Sequence, residues 1–128
     1  MNNLYKLLAF LCLVFVTSSI SAQASRPAFV TGDGLIVLDA SVIDVASEYV
    51  ADISRLNLVN LPQANSYFQK YIDKTSGRGM DYYFDFANQK MRIVIDVQNQ
   101  YLVPKSYGQQ ITVLNFNEVL RMIHLGLL

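Results

Sequence analysis

The sequence predicts a single small α+β domain: an antiparallel sheet of three to five strands, an N-terminal hairpin plus a meander, packed against two or three helices. Three observations carry this expectation. Short runs bounded by glycine or Asn-Gln turns alternate oily and polar residues, as strands with one buried face do. Three longer segments instead repeat their apolar residues at a helical spacing. The chain outside its first 24 residues is about 104 residues long, the size of one core.

Residues 1–24 read as a secretory signal peptide. Lys6 precedes an apolar run from Leu7 to Val16, and small residues lead to Ala22-Gln23-Ala24, so cleavage is expected after Ala22 or Ala24. A bilayer-spanning helix needs about 20 apolar residues, roughly twice this run. Leu11 before Cys12 does not suit a lipid-anchor site. The expected product is an exported domain over 25–128, periplasmic or secreted, with no membrane span. Cys12 is the chain's one cysteine and leaves with the signal, so no disulfide is expected.

The domain should open with a hairpin. Ala28 to Thr31 and Leu35 to Leu38 flank Gly32-Asp33-Gly34, whose glycines suit a three-residue turn. A calcium loop would need several oxygen side chains at fixed offsets, and only Asp33 is present. Ser41 to Leu56 reads as a helix capped by Ser41. At 100° per residue Val42, Ile43, Val45, Ala46, Tyr49, Val50, Ile53 and Leu56 share one side, and Asp44, Glu48, Asp52 and Arg55 share the other. A second helix follows over Asn60 to Lys74, with Asn60 and Gln63 at capping-box spacing and Pro62 in the first turn. Gly77 and Gly79 then break the pattern.

Residues 81–97 read as a β-hairpin turning at Asn88-Gln89. One face is oily: Phe86 opposite Met91, Phe84 opposite Ile93, Tyr82 opposite Ile95. The other sets Asp85 against Arg92, Tyr83 against Val94, and Asp81 against Asp96. A further strand is expected from Gln110 to Leu114, with a shorter piece at Tyr101 to Val103 confined to an edge by Pro104. A last helix should start at Asn115, boxed by Glu118, and bury Phe116, Val119, Leu120 and Ile123; Met122 and Leu125 would form a second greasy side.

The chemistry is sparse. Nine basic residues face ten acidic ones once Lys6 is gone, without a basic run, so nucleic acid is not an expected partner. Without cysteine, and with His124 as the sole histidine, neither a thiolate or imidazole metal site nor a nucleophilic triad can be assembled. No cofactor is expected. Arg78 between two glycines lacks the spacing of a phosphate loop. Asp81 opposite Asp96 would be mutually destabilising unless solvated, protonated or bridged by a cation.

The expected function is therefore that of an exported, non-enzymatic interaction module. It would meet a protein or envelope component through Asp81, Tyr83, Asp85, Arg92, Val94 and Asp96 on the outer sheet face, or through Met122 and Leu125 on the last helix. Tyr101 and Tyr107 are further aromatic candidates on that side. The rival is a small-ligand binder or enzyme with a pocket between helices and sheet. A third reading, a part in a larger secreted assembly, would call for an unprotected edge strand; a homo-oligomer is a further open alternative.

Overall fold

The computed structural model describes residues 25–104 and 111–128. Strands β1 (Arg26–Val30) and β2 (Ile36–Leu38) form the expected N-terminal hairpin, pairing Ala28 with Leu38 and Val30 with Ile36. Gly34 closes its turn with φ +88°, a conformation that a Cβ disfavours, and donates to the Thr31 carbonyl at 3.0 Å.

The segment expected as the first helix is instead the central strand, β3 (Glu48–Asp52), followed by a single 3₁₀ turn at Ser54–Leu56. Tyr49 and Ile53, four residues apart, satisfy both a helical and an alternating pattern. Ala51, left off the helical stripe, is fully buried between them, while Glu48 and Asp52 point the other way. Alternation is thus the period in use. β1 and β5 supply ladders on both sides, which a segment rich in valine and isoleucine suits. Ser41 caps nothing; its hydroxyl donates to Asp39 at 2.6 Å and accepts from Arg26 at 2.9 Å.

The next helix begins where the caps predict. Asn60 accepts from the Gln63 N–H at 3.0 Å, and the Gln63 side chain accepts from the Val59 N–H. It is broken at Phe68 into α1 (Leu61–Tyr67) and α2 (Gln69–Thr75). β4 (Met80–Asp85) and β5 (Lys90–Ile95) form the second hairpin around a four-residue loop whose last residue, Gln89, is left-handed. Helix α3 (Val113–His124) completes the fold.

Its cap is Thr112, which exchanges hydrogen bonds with Asn115, so the capping box stands three residues before the expected Asn115–Glu118 box. The strand expected at Gln110–Leu114 is absent: Gln110 lies outside the described residues, Thr112 makes one isolated bridge to Asp44, and Val113 is already helical. Tyr101 to Val103 are bends rather than a strand. Tyr107 lies outside the described residues.

The domain is α+β as predicted, but its sheet is mixed, in the order β2-β1-β3-β5-β4, with β1 and β3 parallel. The expectation of an antiparallel sheet fails at that one junction. After β2 the chain returns past the start of β1, where Arg26 and Asp39 meet at 3.0 Å, and enters β3 at the same end. A short return therefore yields a parallel neighbour without a long crossover.

All three helices contribute to one buried cluster with a single sheet face. Ala64, Phe68, Tyr71, Phe116, Leu120 and Ile123 pack on Ile36, Leu38, Tyr49, Ala51, Met91 and Ile93. Stacking of Phe68 on Phe84 at 5.8 Å extends the cluster toward β4. These buried side chains lie between the helices and that sheet face.

Candidate functional site

Because the helices take one face of the sheet, the alternate residues of each strand are left on the other. Across it run Val37 of β2; Pro27 and Phe29 of β1; Glu48, Val50 and Asp52 of β3; Lys90, Arg92 and Val94 of β5; and Asp81, Tyr83 and Asp85 of β4. Phe29 is 56% exposed and Tyr83 51% exposed, large values for aromatic rings on a sheet.

Arg92 sits at the centre, flanked by Val50 and Tyr83. Its guanidinium lies 4.9 Å from the Tyr83 ring centroid and 3.2 Å from the Glu48 carboxylate. Lys90, between Asp52 and Asp85, approaches the Asp52 carboxylate to 3.8 Å. Val50, Tyr83, Asp85, Lys90 and Arg92, with Phe84 between them in the strand, border an open depression of about 460 Å³. The surface is thus a band of aliphatic and aromatic groups crossed by the Arg92–Glu48 and Lys90–Asp52 ion pairs, with the Arg92 guanidinium beside the Tyr83 ring.

Part of this face lies where the alternation of residues 81–97 predicts, with different cross-strand partners. The observed register sets Asp85 opposite Lys90, Tyr83 opposite Arg92 and Asp81 opposite Val94, two residues away from the expected pairing. A shift of two keeps every side chain on its expected face, so the oily and polar sides survive while each partner changes. Asp81 does not oppose Asp96. It accepts from Ser76 Oγ at 3.0 Å and from the Gly77 N–H at 3.2 Å, whereas Asp96 accepts from the Asn99 main chain and side chain. Asp85 likewise turns into its own loop, where hydrogen bonds from Asn88 hold its carboxyl below the usual range. Each of the three carboxylates accepts hydrogen bonds within a local turn.

Met122 and Leu125 are not brought to this surface. Met122 lies half-buried on α3, and Leu125, which caps that helix, is 54% exposed. Phe29, Val50, Lys90, Glu48 and Asp52 join the face unforeseen. The usable signal was the alternation of Tyr49, Ala51 and Ile53, which would have turned Glu48 and Asp52 toward the sheet's outer side.

A second polar cluster lies at the opposite side of the fold. His124 Nε2 is 3.2 Å from Asp33, and its Nδ1 is 3.2 Å from both Lys70 Nζ and Tyr71 Oη. Tyr71 donates to the Gly34 carbonyl at 2.8 Å and accepts from the Ile36 N–H at 3.3 Å; burial pushes its phenol up to about 12. With Nε2–H donated to Asp33, Nδ1 accepts from Lys70. The Tyr71 oxygen is fully buried and committed to the main chain, so the cluster fastens α2 and α3 to the β1–β2 turn. Among the described residues no three His, Cys, Asp or Glu side chains converge as metal ligands would, and no helix is long and apolar enough to cross a membrane.

Comparison with known proteins adds no family to this picture: no family model, no curated protein and no solved structure matches the chain.

Proposed function

We propose that the protein is a small exported interaction module that grips a protein or envelope component with its outer sheet face. The observation that carries this reading is the one-sided sheet: five strands covered by helices on one face, with Phe29, Val50, Tyr83 and Val94 left on the other. An exposed aromatic pair on a rigid sheet offers contact area with little ordering entropy, and central Arg92 adds a directional charge. The signal-like residues 1–24 support export.

Site-specific photo-crosslinking in the producing cell tests the reading. A photoreactive residue at Phe29 or Tyr83 should trap one discrete partner, and the same residue at Ser66, exposed on α1, should not. Equal trapping at all three positions, or none at Phe29 and Tyr83, would remove the outer face from consideration. A reporter fused after residue 24 that stays in the cytoplasm would remove the export reading.

A further inference from the structure

His124 is the chain's one histidine, and its ring nitrogens reach two other elements. Nε2 lies 3.2 Å from the Asp33 carboxylate in the β1–β2 turn, and Nδ1 lies 3.2 Å from both Lys70 Nζ and Tyr71 Oη on α2. The imidazole is largely covered, its side chain 13% exposed. Lys70 is on the surface, and its Nζ also donates to the His124 carbonyl at 3.2 Å. The other charged and titratable groups around the ring are Asp73 and Lys74 of α2, which border the same open hollow as Gly126 and Leu128; Tyr67 of α1, beside Gly34; and Arg121 of α3, which is paired with Glu118 at 2.7 Å.

Donor and acceptor capacity allows two arrangements of this cluster. An ionised carboxylate only accepts, so Nε2 carries a proton toward Asp33 in both. The Tyr71 hydroxyl donates to the Gly34 carbonyl at 2.8 Å, the shortest of its three polar contacts, and accepts from the Ile36 N–H. Its oxygen therefore has one lone pair left, open to a further donor. In the neutral ring Nδ1 is bare; facing an acceptor in Tyr71 and a donor in Lys70, it bonds Lys70. In the imidazolium Nδ1 carries a proton; it repels the Lys70 ammonium and meets the spare lone pair of Tyr71. One proton exchanges the partner of Nδ1.

We propose that His124 is a proton-operated latch. Neutral, it ties the last turn of α3 to α2 through Lys70, which it holds both at the ring and at its own carbonyl. Protonated, it lets Lys70 swing into solvent and closes on Tyr71. Exposure sets which partner moves, because Lys70 is on the surface and Tyr71 is fully buried. Helix α3 thus keeps its hold on the β1–β2 turn through Asp33 and on the core through Tyr71, while the chain beyond His124 loses the Lys70 tie. What acid loosens is an oily end: Leu125, Leu127 and Leu128 are each more than half exposed. The latch belongs to the helical layer, and it stands whatever the outer sheet face binds.

Nuclear magnetic resonance of the purified protein tests this, and the single imidazole gives an unambiguous signal. At about pH 8 the ring should be the neutral Nε2–H form, with a nuclear Overhauser cross-peak joining it to the Lys70 ε-methylene; at about pH 5 both nitrogens should be protonated, that cross-peak lost, and a new one should join the Nδ1 proton to the Tyr71 ring. Over the same change the backbone order parameters of Leu125 to Leu127 should fall from about 0.85 toward about 0.6. In Lys70→Met, an exposed substitution, they should be low at both pH values. Four outcomes would overturn the latch: a neutral ring protonated at Nδ1, a Lys70 cross-peak that survives protonation of the ring, order at Leu125 to Leu127 that does not change with pH in the parent, or order in Lys70→Met that matches the parent at the higher pH. Loss of order across the whole domain instead of from Leu125 to Leu127 would assign the change to unfolding and also overturn it.

Discussion

The side-chain amide of Asn117 pairs with the main chain of Leu38 as a neighbouring strand would, accepting from its N–H at 2.8 Å and donating to its carbonyl at 3.0 Å. A helix residue 79 positions away thereby closes the edge of a three-residue strand. Asn117→Ala leaves both groups unpaired at a partly buried site, and a loss of about 2 kcal/mol of stability is expected. Urea denaturation of the variant checks it. A change below a few tenths of a kcal/mol would mean that water replaces the amide without penalty.

Gly79 stands at φ +106°, and a Cβ built there would lie 2.4 Å from Cα and Cβ of Gln100. Gly79→Ala must therefore displace the loop after β5 as well as strain its own backbone. We expect a loss of about 3 kcal/mol or more, with loss of the Tyr101 N–H to Arg78 bond seen as faster amide exchange. Gly32, with nothing within 4 Å of its would-be Cβ, should accept alanine with little change in melting temperature.

The cap of α3 is the reciprocal pair Thr112 and Asn115. Thr112→Ala should cost about 1 kcal/mol and Thr112→Ser much less, because the hydroxyl is the acceptor for the Asn115 N–H. Thermal melts of the three proteins separate these outcomes. Equal effects of alanine and serine would assign the loss to the threonine methyl instead.

Tyr71 makes the protein sensitive to alkali. Its phenol is raised by burial to about 12, above its unfolded value of 10.0, so the unfolded chain loses its proton first. Stability should hold below pH 10 and fall between pH 10 and 12, by about 1.4 kcal/mol per pH unit from this group. Burial raises Tyr49 and Tyr82 as well, steepening the decline. Denaturation at stepped pH reads the slope, and Tyr71→Phe should flatten it. An unchanged slope in that variant would place the alkaline transition elsewhere.

Much of this architecture was legible in the residues. The Gly-Asp-Gly turn, the Asn60 cap and the oily side of the second hairpin all depend on local rules: glycine conformations, a side chain reaching an amide three residues on, and alternation with period two. The outer face was legible only in part. Tyr83, Asp85, Arg92 and Val94 were placed on it because a two-residue slip does not change a side chain's face. Their partners were missed because the register hung on a four-residue loop with a left-handed Gln89, which no hydrophobic pattern encodes.

The stretch from Ser41 to Leu56 marks where local information ends. Its apolar residues fit a helix and a strand alike, and what settles the choice is the presence of β1 and β5 on either side of Glu48–Asp52, from far along the chain. From that placement follow the parallel junction, the Glu48–Arg92 and Asp52–Lys90 ion pairs, and the membership of the open face. Asp33, Lys70, Tyr71 and His124 likewise come together from separate elements. The residue order alone settles what each short segment does with its own main chain and which of its sides is oily, because those energies are local. Which segments become neighbours, which carboxylate meets which cation, and which strand edge a helix residue closes belong to the folded chain, because they are decided by contacts between residues that sequence distance keeps apart.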